Sequence, residues 1–195
     1  MLYAIAHILR DNLVWLWNLI ESINGMIFSL KYGRRLQSIS LTRIPEGYSL
    51  IELKDVPIGM LVDFFNNQPK EAFAYFRPHG FDAKSIKRLQ GNKAFLGYVL
   101  LDKQNSKIAG YCFNRCFFHG QGFRGRMVDI EYRGKGLGIA MNKILNEVGF
   151  GIGLRLFETV SRNNVPSYRS ALSTSNVRVV KELPNNEVYL EILPD

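Results

Sequence analysis

Cysteine is scarce in this chain of 195 residues: two copies, Cys112 and Cys116, exclude a disulfide scaffold and a four-cysteine zinc module. Their spacing of four on an expected strand places them on one face, about 13 Å apart, too far for a disulfide between them. With His119 as the one histidine nearby they make a poor metal site, so no metal is expected and both read as buried apolar filler. No stretch of about 20 residues is predominantly apolar, so a membrane-spanning helix is not expected. Low-complexity tracts and internal repeats are missing too. Charged residues are held to 22% while 47% are hydrophobic, which excludes a mostly disordered chain and fits one ordinary domain with an appended element.

What is present is an excess of positive charge, 25 Lys+Arg against 17 Asp+Glu. It is not spread evenly. Residues 1–76 hold seven basic and seven acidic side chains and residues 136–195 six of each, so the whole +8 comes from residues 77–135. A basic terminal tail is thereby excluded. Such a surplus attracts a polyanion: nucleic acid, an acidic membrane or a phosphorylated cofactor.

The first thirty residues differ from the rest. Leu2, Ile5, Leu9, Leu13, Leu16, Ile20, Ile23, Ile27 and Leu30 recur at helical spacing, and Trp15, Trp17 and Leu19 widen the stripe. Asn12, Asn18, Glu21, Ser22, Asn24 and Gly25 interrupt every window long enough to span a bilayer. A signal peptide is not expected, because basic residues and a small-residue cleavage site are lacking where one would need them. Two readings stay open. One is a helix, or two broken at Asn24-Gly25, packed on the domain or on a sister subunit in a homodimer. The other is an interfacial membrane helix, with tryptophans at the boundary and Lys31, Arg34 and Arg35 in the flank. Residues 1–35 are thus expected as a helical extension and 36–195 as the main domain.

Beyond residue 36 the pattern is mixed α/β. Strands are expected at 48–54, 94–102, 107–118, 123–130, 154–161, 177–183 and 187–193, and helices at 58–65, 83–90, 136–150 and 166–173. Asp82 is an expected N-cap for the second of these helices. Polar residues 103–106 and Pro184-Asn185-Asn186 mark two hairpin turns.

The chemistry concentrates at Arg133-Gly134-Lys135-Gly136-Leu137-Gly138, where a strand runs through three alternate glycines into an amphipathic helix. Stacked amides at a positive helix N-terminus, with Arg133 and Lys135 beside them, bind a phosphate or pyrophosphate. The dinucleotide fingerprint fails, because its third glycine would fall at Ile139 or Met141; the Walker loop fails, because Lys135 is followed by Gly136.

These residues resemble the acyl-CoA loop of the GNAT N-acetyltransferases, Arg/Gln-x-x-Gly-x-Gly/Ala. The element order over residues 48–193 and Asn164, four residues after Val160, resemble that family as well. The resemblance implies a mixed, mostly antiparallel sheet of six to seven strands flanked by helices, with acetyl-CoA or another acyl-CoA as co-substrate. It implies that amides of Arg133, Gly134, Lys135, Gly136, Leu137 and Gly138 hold the pyrophosphate. Main chain of Met127, Val128, Asp129 and Ile130 would meet the pantetheine, and Asn164 and Ser167 would line its other side or order the last helix. The reaction implied is direct attack of an amine on the thioester, which needs a base, an oxyanion donor and an acid for the leaving thiolate.

One departure concerns the acid. The family often carries Tyr seven residues after the Asn, and here that position is Ala171; Tyr168, one turn back, is the substitute or a packed aromatic. Candidate bases are Glu158, in an apolar row with Leu154, Leu156 and Val160, or paired with an arginine; Asp129; and the loop histidines His79 and His119. The cations Arg77, Lys84, Lys87, Arg88, Arg115, Arg124 and Arg126 suggest an anionic acceptor such as a nucleotide-linked amino sugar, made in the cytoplasm, with residues 1–35 peripheral on the inner membrane face. A non-catalytic CoA-, partner- or membrane-binding protein is the competing reading. Nucleic acid is disfavoured, since aromatics in the basic middle alternate as in core strands.

Overall fold

The computed structural model describes residues 14–194. Its helices are α1 (Val14–Gln37), α2 (Ile58–Asn66), α3 (Ala83–Gly91), α4 (Leu137–Gly151) and α5 (Val165–Thr174). The strands are β1 (Tyr48–Glu52), β2 (Phe95–Asp102), β3 (Lys107–Phe117), β4 (Gln121–Val128), β5 (Arg155–Ser161), β6 (Asn176–Leu183) and β7 (Glu187–Leu193). They form one seven-stranded sheet in the order β1-β2-β3-β4-β5-β7-β6, antiparallel throughout except where β4 meets β5. The mixed, mostly antiparallel sheet expected from the sequence is the one observed.

Local chemistry sets most boundaries. Asp82 caps α3 by accepting from Ser85 N at 3.0 Å. The hairpin between β6 and β7 closes through Asn185 and Asn186, both at φ 60°, a left-handed conformation that asparagine tolerates. The strand expected over 123–130 begins two residues earlier and stops at Val128, because Asp129 starts a 3-10 turn, Ile130–Tyr132, and accepts from Glu131 N at 2.8 Å.

Alternation along the strands divides the core into two layers. Leu96, Leu100, Cys112, Cys116, Leu156, Val160, Leu190 and Ile192 face α4, α5 and part of α1. Val99, Tyr111, Phe113 and Met127 face α2 and α3. Both cysteines are buried and free, and burial pushes the Cys112 thiol up to about 12 and Cys116 higher still, so neither is a nucleophile.

The amino-terminal helix decides one open point of the sequence reading and corrects another. First, α1 runs unbroken through Asn24-Gly25, the single-helix alternative. The Asn24 amide donates to Cys116 O at 2.9 Å and accepts from Phe118 N at 3.0 Å, so it pins the helix to the β3–β4 hairpin. Gly25 permits a close approach, since a Cβ there would lie 3.2 Å from Asn92 Oδ1. Secondly, the docked face is not the aliphatic stripe. Phe28 and Tyr32 are buried, whereas Ile20, Ile23 and Leu30 of the stripe are exposed. Leu2, Ile5, Leu9 and Leu13 lie outside the described residues. Among the described residues no helix is long and apolar enough to cross a membrane.

Candidate active site

The glycine loop takes the form its sequence demands. Gly134 and Gly136 have φ of 77° and 76°, where a side chain on an L-residue is strained. Gly136 occupies the N-cap of α4 without any side-chain cap bond, and its carbonyl accepts from Ile139 N at 3.0 Å and Ala140 N at 3.1 Å. The amides of Gly134, Lys135, Gly136, Leu137 and Gly138 find no acceptor among the described residues. They lie at the positive end of a 15-residue helix, a ready anion site. Arg133 and Lys135 are both exposed beside it, with Lys135 Nζ 4.6 Å from the Tyr132 ring centroid.

Next to the loop the sheet is split. β4 pairs with β5 only from Gln121↔Arg155 to Phe123↔Phe157, and from Arg124 to Val128 the strands diverge. Met127 and Val128 still pair with Tyr111 and Gly110 of β3. Peptide groups of this stretch that turn the other way therefore face an open edge.

Side chains of three charged residues lie across the wedge. Glu158 Oε2 accepts from Arg124 Nε at 2.6 Å and from Arg126 Nη1 at 3.4 Å, and all three side chains are at most 8% exposed. Arg124 Nη1 donates to Asn146 Oδ1 at 2.5 Å, while Arg126 Nη2 reaches Ser167 O at 3.0 Å and Ser167 Oγ at 3.3 Å. Glu158 Oε1 and Arg124 Nη2 are buried without a partner. Burial pushes the Arg126 guanidinium down from its ordinary range, against the pull of Glu158. Of the two sequence readings of Glu158, the arginine-paired one matches this geometry. The pairing joins residues 34 apart, and its only trace in the sequence is that Arg124, Arg126 and Glu158 all fall in phase on one sheet face.

The other candidates scatter. Asp129 has both oxygens engaged, Oδ1 by Glu131 N and Oδ2 by Gln68 Nε2 at 2.6 Å. Gln68 Oε1 also accepts from Ile130 N at 3.2 Å, so that amide is occupied before any ligand arrives. Gln68 was not singled out by sequence reasoning and carries no motif. His79 sits in an aromatic cage of Phe65, Phe81, Phe95, Tyr111 and Phe113. Its Nδ1 lies 2.9 Å from Gly80 O, which assigns the proton to Nδ1 and leaves Nε2 to accept from Tyr111 Oη at 2.8 Å. Burial pushes His79 down to about 4, so the ring is neutral. His119 stacks on Phe117 in the β3–β4 turn, at the paired end of the wedge and remote from the loop. Asn164 N-caps α5 through its backbone, with no side-chain cap bond. Tyr168 packs at the edge of the core with Arg162 6.0 Å over its ring, and Ala171 is fully buried.

The cations that suggested an anionic acceptor surface do not converge. Arg115 pairs with Glu21, Arg88 bonds Asn18 Oδ1 at 2.9 Å, and Arg124 and Arg126 turn to the α4 face of the sheet. On the opposite face, a shallow groove lined by Lys70, Phe73, Arg77 and Phe81 adjoins the end of β4 through Gln68.

The fold is shared with solved structures. The GNAT domain of PAT from S. lividans superimposes with a TM-score of 0.65 and 14% identity, over 80% of this chain and 95% of that one. The chain has the GNAT acetyltransferase fold. The ribosomal-protein-S5-alanine acetyltransferase of Vibrio fischeri gives a TM-score of 0.59 at 17% identity, over 75% of this chain and 92% of that one. The YncA protein of Salmonella typhimurium, solved with its cofactor acetyl-CoA, gives 0.58 at 15%, over 76% and 94%. No protein-family model matches the sequence, and no curated protein matches it. Within the GNAT fold, α1 is additional to the strand and helix order that the sequence resemblance covers, which starts at β1.

Proposed function

We propose that this chain is an acyl-CoA N-acyltransferase that moves an acetyl group from acetyl-CoA to a primary amine. The observation that carries this is the row of unpartnered amides from Gly134 to Gly138, flanked by Arg133 and Lys135, at the mouth of the β4–β5 wedge. A pyrophosphate seated there directs the pantetheine along the open edge of Arg124–Val128, and places the thioester near the point where the strands part. The amine nitrogen attacks the thioester carbonyl; a C–N bond forms, the C–S bond breaks, and the electron pair leaves with sulfur. The ammonium proton is lost and the thiolate is protonated. The Arg126–Ser167 contact borders this path, so the guanidinium moves aside or shares its donors with the bound co-substrate.

The acceptor enters from the opposite sheet face, by the groove of Lys70, Phe73, Arg77 and Phe81. Two cations and two aromatic rings there favour a small anionic acceptor with a planar part, for which a nucleotide-linked amino sugar is the specific candidate. A non-catalytic CoA-binding protein on the same fold is the second reading, favoured by the buried Ala171 at the position where the family often carries Tyr.

Thermal shift with acetyl-CoA, CoA and ATP separates the possibilities, followed by thiol release over an amine panel that includes amino-sugar nucleotides. Stabilisation by both CoA species but not ATP, with thiol release by one amine, is expected. No shift with either CoA species refutes the proposal, and a shift without turnover by any amine selects the second reading.

A further inference from the structure

The outward face of α1 has no partner among the described residues. Trp15, Leu19, Ile20, Ile23, Met26 and Leu30 are 68%, 49%, 43%, 44%, 58% and 81% exposed. At about 100° per residue they fall within one sector of about 140°, and the row is about 22 Å long. Together they expose roughly 700 Å² of apolar side chain, above the size of an ordinary surface patch. No charged residue interrupts the row between Trp15 and Leu30.

The rim is of one sign. Arg34 lies on the same sector one turn past Leu30, and Lys31 is exposed beside it. At the other end Arg88 bonds Asn18, which sets the basic outer face of α3, with exposed Lys84 and Lys87, against the flank of α1. Lys93 is exposed at the level of Gly25. Among the described residues α1 has one acid, Glu21, and it pairs inward with Arg115.

We propose that this stripe docks on an anionic lipid surface, with α1 lying in the plane of the interface. Trp15 and the aliphatic side chains enter the boundary between headgroups and acyl chains, and the cations meet lipid phosphates. A second copy of the chain fits less well. A two-fold contact through the same stripe would bring each cationic rim against its own image, with Arg34 of both copies inside the contact. The dock leaves the glycine loop free. The Arg35 guanidinium bonds Ile152 O at 3.3 Å, just past the C-terminal end of α4, and the loop stands at the other end of that helix, about 22 Å away.

The test is sedimentation of the full chain with vesicles of phosphatidylglycerol and phosphatidylcholine, and with phosphatidylcholine alone, together with its mass in solution at micromolar concentration. The full chain is expected to sediment with the anionic vesicles and to be released by salt. Leu30→Glu or Met26→Glu, at exposed positions, should weaken binding roughly tenfold or more. Arg34→Gln should weaken it about fivefold. None of these variants should shift the melting temperature by more than a degree or two, because none of the side chains is packed. The proposal is overturned if the protein ignores anionic vesicles, or binds neutral ones equally well. It is also overturned if L30E and M26E leave binding unchanged, or if they dissolve a dimer that never sediments with lipid.

Discussion

Replacing Glu158 with glutamine tests what the carboxylate in the wedge does. Oε2 sits 2.6 Å from Arg124 Nε and 3.4 Å from Arg126 Nη1, and the side chains of Glu158 and Arg124 are 4% and 0% exposed. At an effective dielectric constant near 20, opposite unit charges about 4 Å apart attract by roughly 4 kcal/mol. Removing one member of a buried pair typically costs about 3–5 kcal/mol, because the survivor stays desolvated without its counter-charge. Glutamine keeps an acceptor oxygen, and Asn146 and the Ser167 carbonyl still accept from the two guanidiniums, which puts the expected loss near 3 kcal/mol. For a chain of this length that is a fall of about 6–12 °C in melting temperature, read by calorimetry. The triple replacement of Glu158, Arg124 and Arg126 by methionine removes the carboxylate together with both cations and should restore more than half of that loss. Thiol-release turnover, measured below both melting temperatures, completes the experiment. An E158Q variant that melts within about 2 °C of the parent yet loses most of its turnover would refute the ion-cluster reading and return the carboxylate to a chemical role.

Two further outcomes follow from single residues. Gly136→Val forces a β-branched residue to φ 76°, which costs about 1–2 kcal/mol; since no atom lies within 4 Å of the new Cβ, the fold survives while acetyl-CoA-dependent thermal stabilisation disappears. A G136V variant that acetyl-CoA still stabilises as strongly as the parent would show that the loop is not where the anion binds. His79 is pushed down to about 4 from 6.5 by burial, so between those values the unfolded chain binds the extra proton and the folded one does not. Its contribution is complete above pH 6.5 and is lost as pH falls toward 4, by up to about 3 kcal/mol. Melting temperature against pH should therefore be flatter over that window in His79→Gln than in the parent, and parallel curves would contradict the burial.

Much of the fold is written in short stretches of sequence. The Asp82 cap, the turn at residues 103–106, the Asn185-Asn186 hairpin and the Gly134-Lys135-Gly136 loop each depend on residues within a few positions of one another. Strand ends moved by one or two residues where a distant side chain intervened: Gln68 grips Asp129 and Ile130 across 61 and 62 positions, and β4 ends there. The candidate site divides in the same way. The glycine loop is legible because amide direction and positive φ are local properties of glycines at a helix start. Partners of Glu158 and His79 are not legible, since Arg124 and Tyr111 reach them from other strands.

The helix at the amino end shows where sequence stops determining the outcome. Spacing alone pointed to helix in the first thirty residues, because the apolar positions follow the 3.6-residue period, and left open whether it breaks at Asn24-Gly25. Which face is buried was decided by the surface it met. The β3–β4 hairpin offered Cys116 O and Phe118 N at its end, and Asn24 satisfied both, while Arg115 offered a charge to Glu21. Buried peptide groups must find partners, whereas an aliphatic stripe only gains by finding cover. The polar and aromatic face of α1 therefore docked inward, and the stripe was left facing out.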